Sequence, residues 1–311
     1  MYGTRVRRMV LSLLSLAVIA LVTGVAGPAV ASSARSDSLI VLPGATSAEG
    51  IARGQGSTFF AGDLFAGDIF RGDIRRGTAE LFIDAPAGRM AAGMKVDRRH
   101  KLLLVAGGGG HINVYSTRTG ASVADFTVGD PATSFVNDVA LVPGGAWFTE
   151  SLQAKLYFLP IGRHGNLGPV RELPVTGPAG NTTGGFDLNG IQAPPDGRTL
   201  IVGHAANNQV YSVDPATGAS TAIAGLNLTG PDGLVLQGKR LWVVGNNVVT
   251  RTRLNAGLTS AVVEKVITSD LFQTPSTAAL FGNKLGVVNA KFDTGIPPTA
   301  DQYEVVVVGP S

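Results

Sequence analysis

A triplet recurs along this 311-residue chain at a nearly constant spacing, and that spacing restricts the architecture more than any other feature. It reads Glu49-Gly50-Ile51, Ala92-Gly93-Met94, Asn137-Asp138-Val139, Asn189-Gly190-Ile191, Asp232-Gly233-Leu234 and Ser276-Thr277-Ala278. The gaps between first letters are 43, 45, 52, 43 and 44 residues. The third letter is always apolar. The second is small, except at Asp138 and Thr277. Self-similarity at such a period marks a repeat architecture, in which each unit buries its apolar faces against its neighbours.

Each triplet opens the same series of events. After Asn189-Gly190-Ile191 comes a turn at Pro194-Pro195-Asp196-Gly197, then the continuous apolar run Leu200-Ile201-Val202, which predicts a buried second strand. Gln209-Val210-Tyr211-Ser212-Val213 alternates as a third strand. Asp214-Pro215-Ala216-Thr217-Gly218 supplies hairpin chemistry, and Ser220-Thr221-Ala222-Ile223 makes a fourth strand. No stretch carries sustained helical periodicity. Four strands in about 44 residues make one blade of a β-propeller, so six triplets predict an all-β, six-bladed propeller with antiparallel blades. The sixth unit has only three strands of its own. The run Ser38-Leu39-Ile40-Val41-Leu42, ahead of the first triplet, can complete it and close the ring. A β-solenoid has shorter repeats, and two sandwiches would lack a common register.

Composition agrees with many short strands and tight turns: 42 glycines and only 15% charged residues. At the N-terminus, Arg5, Arg7 and Arg8 precede an apolar run over residues 9–25, followed by Ala29-Val30-Ala31. This pattern predicts a secretory signal peptide over 1–31, a propeller domain over 32–311 and a secreted protein with no stable membrane anchor after cleavage. An uncleaved anchor is the competing reading, because the run is nearly long enough to span a bilayer. The formal charge of +3 comes from the three leader arginines. No basic stripe interleaved with aromatics is present, so nucleic-acid binding is not expected. Without cysteine there is neither a disulfide framework nor thiolate chemistry.

In a propeller the first strand of every blade lines the central channel. The six first letters, Glu49, Ala92, Asn137, Asn189, Asp232 and Ser276, therefore form a ring around one axis. An unpaired Glu and Asp in a narrow apolar tunnel would carry a heavy desolvation cost. A divalent cation held by Glu49, Asn137, Asn189 and Asp232 removes that cost. All-oxygen ligation favours Ca²⁺, with Mg²⁺ or Mn²⁺ next. Asn-Gly and Asp-Gly are also common turn formers. Four oxygen donors at one repeat phase nevertheless point to a shared site.

The chain resembles the senescence marker protein / gluconolactonase / luciferin-regenerating enzyme family of calcium-dependent six-bladed propellers. The resemblance rests on Glu49-Gly50-Ile51-Ala52, on Val136-Asn137-Asp138-Val139-Ala140 followed by Trp147-Phe148-Thr149-Glu150-Ser151, on Asn189-Gly190-Ile191 with Pro195-Asp196-Gly197-Arg198-Thr199-Leu200, and on Pro231-Asp232-Gly233-Leu234 with Leu241-Trp242-Val243. It implies Glu49, Asn189 and Asp232 as metal ligands, and Asn137 as a ligand or a substrate contact. It also implies hydrolysis of lactones or related esters, with Asp232 orienting or deprotonating the attacking water. The sequence departs from the gluconolactonases in blade two, where only Arg89 offers a sugar-acid contact, and no paraoxonase-like histidine pair is present.

Strand alternation places the loops between second and third strands on the triplet face. Asp63, Glu150, His204, Asn246 and Asn289 are therefore expected to rim the pocket as substrate contacts, with Glu150 and His204 as proton-transfer candidates. The alternative is a non-catalytic secreted propeller that carries a structural Ca²⁺ and docks a protein or glycan. Redox metal chemistry is not expected, because His100, His111, His164 and His204 fall at unrelated repeat phases.

Overall fold

The fold was analysed in a computed structural model that describes residues 37–310. The leader expected over 1–31 lies outside the described residues. The strands form six separate four-stranded antiparallel sheets. Their first strands are Ile51–Arg53, Met94–Asp97, Val136–Val142, Leu188–Gln192, Leu234–Gln237 and Pro275–Phe281. Each first strand packs against those of the blades before and after it, including the sixth against the first. This is a closed six-bladed β-propeller.

Closure comes from the expected exchange. Ser38–Val41 pairs antiparallel with Glu304–Val308 as the outermost strand of blade six, in the register Ser38 to Val307 and Val41 to Glu304. Two short 3₁₀ turns, Gly177–Gly180 and Phe292–Thr294, were not legible in the strand pattern. The first sits in the longest gap between triplets, where it absorbs part of the extra chain length.

The core explains why second strands read as unbroken apolar runs. Each blade is covered on both faces by its neighbours, so both sides of an inner strand are buried. Leu102–Ala106 is buried at every position, whereas the outer strand Ser122–Thr127 alternates between exposed and half-buried. The buried apolar side chains fall into six clusters, each filling one junction between blades. Leu104, Val139 and Phe148 knit blades two and three, for example, and Ile201, Leu241 and Val243 knit four and five. The cluster at the closing junction joins Ile40 and Leu42 to Ile51, Phe59, Phe70 and Val305. The ring is therefore closed by packing as well as by strand pairing.

Ile40 is only 1% exposed and belongs to the strand that shuts the ring. Ile40→Ala should cost about 2–5 kcal/mol of unfolding free energy in urea titrations. A loss below about 1 kcal/mol would show that the closing strand is not integral to the fold.

Candidate metal centre

The triplets are positioned by a belt of contacts between successive blades. In blades three, four and six the pairing register breaks at the triplet, between Val136 and Val139, Leu188 and Ile191, and Pro275 and Ala278. Bulges of this kind re-aim a side chain relative to the strand. The Gly93 amide donates to the Asn137 carbonyl (2.7 Å), Gly190 to Asp232 (3.1 Å) and Gly233 to Ser276 (2.7 Å). The Ser276 hydroxyl donates to the Glu49 carbonyl at 2.7 Å, which joins blade six to blade one. Between blades three and four, Thr149 donates to the Asn189 carbonyl at 2.7 Å. The second letter is glycine because the strands approach so closely. A Cβ on Gly190 would lie 2.2 Å from the Asp232 carbonyl oxygen, and one on Gly50 would lie 2.0 Å from that of Ala92. Asp138 breaks the glycine rule usefully: its carboxylate accepts from the amides of Ile191 (3.0 Å) and Val139 (2.8 Å).

This belt carries four oxygen-bearing side chains at one level of the channel. Glu49, Asn137 and Asn189 are buried, and Asp232 is half-buried. Glu49 Oε2, Asn137 Oδ1 and Asn189 Oδ1 are buried acceptors with no hydrogen-bond partner. Buried polar atoms normally find partners, so three orphaned oxygens at one ring position require an explanation. Asn137 is oriented by its other end, which donates to Ser151 Oγ at 3.0 Å; Ser151 in turn donates to the Leu188 carbonyl at 2.6 Å. The Asn189 side chain lies beside the Asp232 carboxylate and holds its proton affinity down.

Burial raises the Glu49 carboxyl well above its usual range, and the nearby Asp232 and Asp138 charges raise it further. Burial and then Asp138 push Asp232 up to about 8, although Asn189 opposes this. Asp138 is also raised by burial, partly offset by Lys95 and its amide donors. The protein thus holds adjacent carboxylates without enough positive charge to balance them. A hard cation fits this donor set, because two carboxylates supply charge and two amides supply dipoles. Among the described residues no three His, Cys, Asp or Glu side chains gather as a metal-binding group, so the fit depends on the asparagines.

The remaining expected residues behave differently. Asp63, Glu150, His204 and Asn289 occupy near-equivalent positions at the end of the second strand of their blades, but they are at most 1% exposed. Their polar atoms are spent on the backbone. Asp63 accepts from the amides of Thr46 (2.6 Å) and Ser47 (3.2 Å). Glu150 accepts from Phe135 (2.7 Å) and Leu152 (3.0 Å). Both ring nitrogens of His204 are engaged, with the Asn181 carbonyl (3.1 Å) and the Asn207 amide (3.3 Å). Asn289 bonds the Gln273 amide, the Leu271 carbonyl and Glu304. These four are braces that anchor the loops entering each blade, rather than free groups at a pocket rim. Their shared repeat phase was visible in sequence and carries this structural meaning. Asn246 is exposed and lines a shallow 150 Å³ cavity of blade five. Arg89 is engaged by Asp125 and Asn113. Sequence reasoning missed Ser151, Asp138 and Lys95. The clue to Asp138 was its departure from glycine.

No protein-family profile matches the chain, and no curated protein matches it by sequence. Solved structures do match in fold. The luciferin-regenerating enzyme aligns over 89% of this chain and 96% of its own, at 12% identity and a TM-score of 0.61. The major Malassezia sympodialis allergen Mala s 1 aligns over 88% and 96%, at 14% identity and a TM-score of 0.61. A catalytically inactive virginiamycin B lyase from Staphylococcus aureus, solved with quinupristin, aligns over 88% and 99%, at 13% identity and a TM-score of 0.58. The class defined here is therefore the β-propeller, and its neighbours include enzymes.

Two outcomes follow from the centre's electrostatics. Carboxyls raised in the folded state keep protons that the unfolded chain has already lost. Without added cation, stability should therefore fall as pH rises from about 4 toward about 8. Melting temperatures measured with chelator should show this slope, and Ca²⁺ should remove it. A slope unchanged in the Glu49→Gln, Asp232→Asn double variant would assign it elsewhere. Ser151→Ala frees the Asn137 amide and should weaken Ca²⁺ binding about 10- to 100-fold by calorimetry, with the fold intact. Unchanged affinity would remove Asn137 from the ligand set.

Proposed function

We propose that this protein is an exported, metal-dependent hydrolase of lactones or related esters. In this reading a divalent cation, Ca²⁺ foremost and Mg²⁺ or Mn²⁺ next, is held by Glu49, Asn137, Asn189 and Asp232. The observation that carries the proposal is the set of buried, unpartnered oxygens on Glu49, Asn137 and Asn189 beside Asp232. When bound, the cation supplies positive charge that polarises a carbonyl oxygen and stabilises the negative charge developing on it. The fold neighbours support an enzyme only in general terms, since two of them are enzymes by name.

The chain's own residues supply the rest. Asp232 orients the attacking water and takes its proton at the carboxylate while the hydroxyl adds to the acyl carbon. As the acyl C–O bond breaks, the same proton passes to the departing alkoxide oxygen, so one water is consumed per ester opened. Asn189, beside Asp232, favours its ionised carboxylate. Ser151 fixes which end of the Asn137 amide faces the axis. Asp138 and Lys95, deeper in the channel, set the local potential without presenting a free oxygen.

A second reading is a non-catalytic propeller with a structural cation whose face docks a protein or glycan. It is favoured by the commitment of Asp63, Glu150, His204 and Asn289 to the backbone, which leaves few polar groups free to hold a substrate.

A panel of lactones and aryl esters, assayed with Ca²⁺ and with chelator, separates the two readings. Chelator-sensitive turnover supports hydrolysis. Asp232→Ala should then abolish Ca²⁺ binding and lower turnover by at least about 100-fold. Tight Ca²⁺ binding with no turnover on any substrate supports the binding propeller. Full activity in Asp232→Ala would overturn the mechanism.

A further inference from the structure

The channel has a second mouth, and its chemistry is the opposite of the first. Each first strand starts at the triplet and runs away from it. At about 3.3 Å per residue, Arg53 lies roughly 13 Å along the strand from Glu49. There a 300 Å³ cavity is lined by Arg53, Lys95 and Arg98 together with neutral residues such as Gln192 and Val235. It continues, through shared Val96 and Arg98, into a 610 Å³ cavity in the groove between blades one and two. That groove adds Arg71, Lys101 and Arg118. Six cations and no carboxylate line the two cavities together.

This concentration is not a reflection of overall charge, since the whole chain has 25 Lys and Arg against 22 Asp and Glu. Arg71 has an exposed partner in Glu80, at 2.7 Å. Arg98, Lys101 and Arg118 make no ion pair among the described residues. Arg53 is held in place by the Leu280 carbonyl (3.3 Å) and lies over the Phe281 ring, 5.9 Å from its centroid. The fold thus places Arg53 close to Arg98, and partial desolvation together with the Arg53 charge lowers the Arg98 pKa. Like charges held together without a counter-ion favour a bound anion. The neighbouring groove between blades two and three, by contrast, contains Asp97 beside Arg163 and His100. Guanidinium forks match the geometry of phosphate oxygens, and lysine adds a point charge. One phosphoryl group carries about 1.5–2 negative charges near neutral pH, so two such groups balance the three unpaired cations of the groove, Arg98, Lys101 and Arg118.

We propose that the groove between blades one and two, on the face opposite the metal centre, binds a small soluble anion carrying two phosphoryl groups. Phe60 and Val96 form its apolar wall, with the Thr58 hydroxyl as a neutral hydrogen-bond donor. The site is separate from the proposed hydrolytic centre and does not depend on it.

Inorganic diphosphate is the probe, titrated calorimetrically into the full chain without divalent cations at low ionic strength. Saturable binding that weakens as salt rises is expected. The Arg98→Ala, Lys101→Ala double variant should bind at least about tenfold more weakly. These side chains are exposed, so its melting temperature should not change. Arg163→Ala, in the neighbouring groove, should bind like the parent protein. No saturable binding at millimolar diphosphate would overturn the proposal. Equal weakening by Arg163→Ala would do so too, by showing a diffuse charge effect. Capture by phosphatidate vesicles without binding of free diphosphate would overturn it in favour of a membrane surface.

Discussion

The belt of contacts between successive triplets is the constraint on which the rest of this protein depends. Blade is joined to blade through main-chain bonds such as Gly93 to Asn137 and Gly233 to Ser276, with Ser276 closing onto Glu49. These bonds form only because first strands approach to distances that exclude a Cβ at Gly50 and Gly190. That approach narrows the channel and brings side chains 43 to 52 residues apart in sequence to one level. The six apolar clusters between blades then hold the ring at that spacing.

The same geometry divides the channel electrically. At the triplet end, burial raises the proton affinity of Glu49, Asp138 and Asp232, the Asp138 charge raises that of Glu49 and Asp232 further, and uncapped amide oxygens add negative potential. At the far end, Arg53, Lys95 and Arg98 converge. Lys95 lies on the same first strand that begins beside Ala92, and it interacts electrostatically with Asp138. Burial strengthens the field at the triplet end, where Glu49, Asn137 and Asn189 are shielded from solvent. The two ends of the channel therefore carry side chains of opposite charge.

Much of the fold was legible because a propeller repeats its own instructions. The triplet phase located all six first strands, and the runs at Leu102–Ala106 and Leu200–His204 marked second strands buried on both faces. Site residues were harder to sort, because a repeat phase gives position but not partner. Asp63, Glu150, His204 and Asn289 share a phase as clearly as the triplet letters do. Their role is decided by backbone groups of distant loops, such as Thr46 and Phe135, that turn toward them. Ser151 stood in sequence only as the end of the stretch 147–151; its role appears because Asn137 and the Leu188 carbonyl lie on either side of it.

By itself the sequence determined the number of blades, the strand order within each blade, and the level at which Glu49, Asn137, Asn189 and Asp232 sit. These follow from local pattern and spacing, which act along the chain. The tertiary structure alone decided which polar atoms lack partners, which carboxyls are driven up in proton affinity, and where the cations of blades one and two meet. Those properties depend on desolvation and on contacts across blade junctions. Neither exists until the ring has closed.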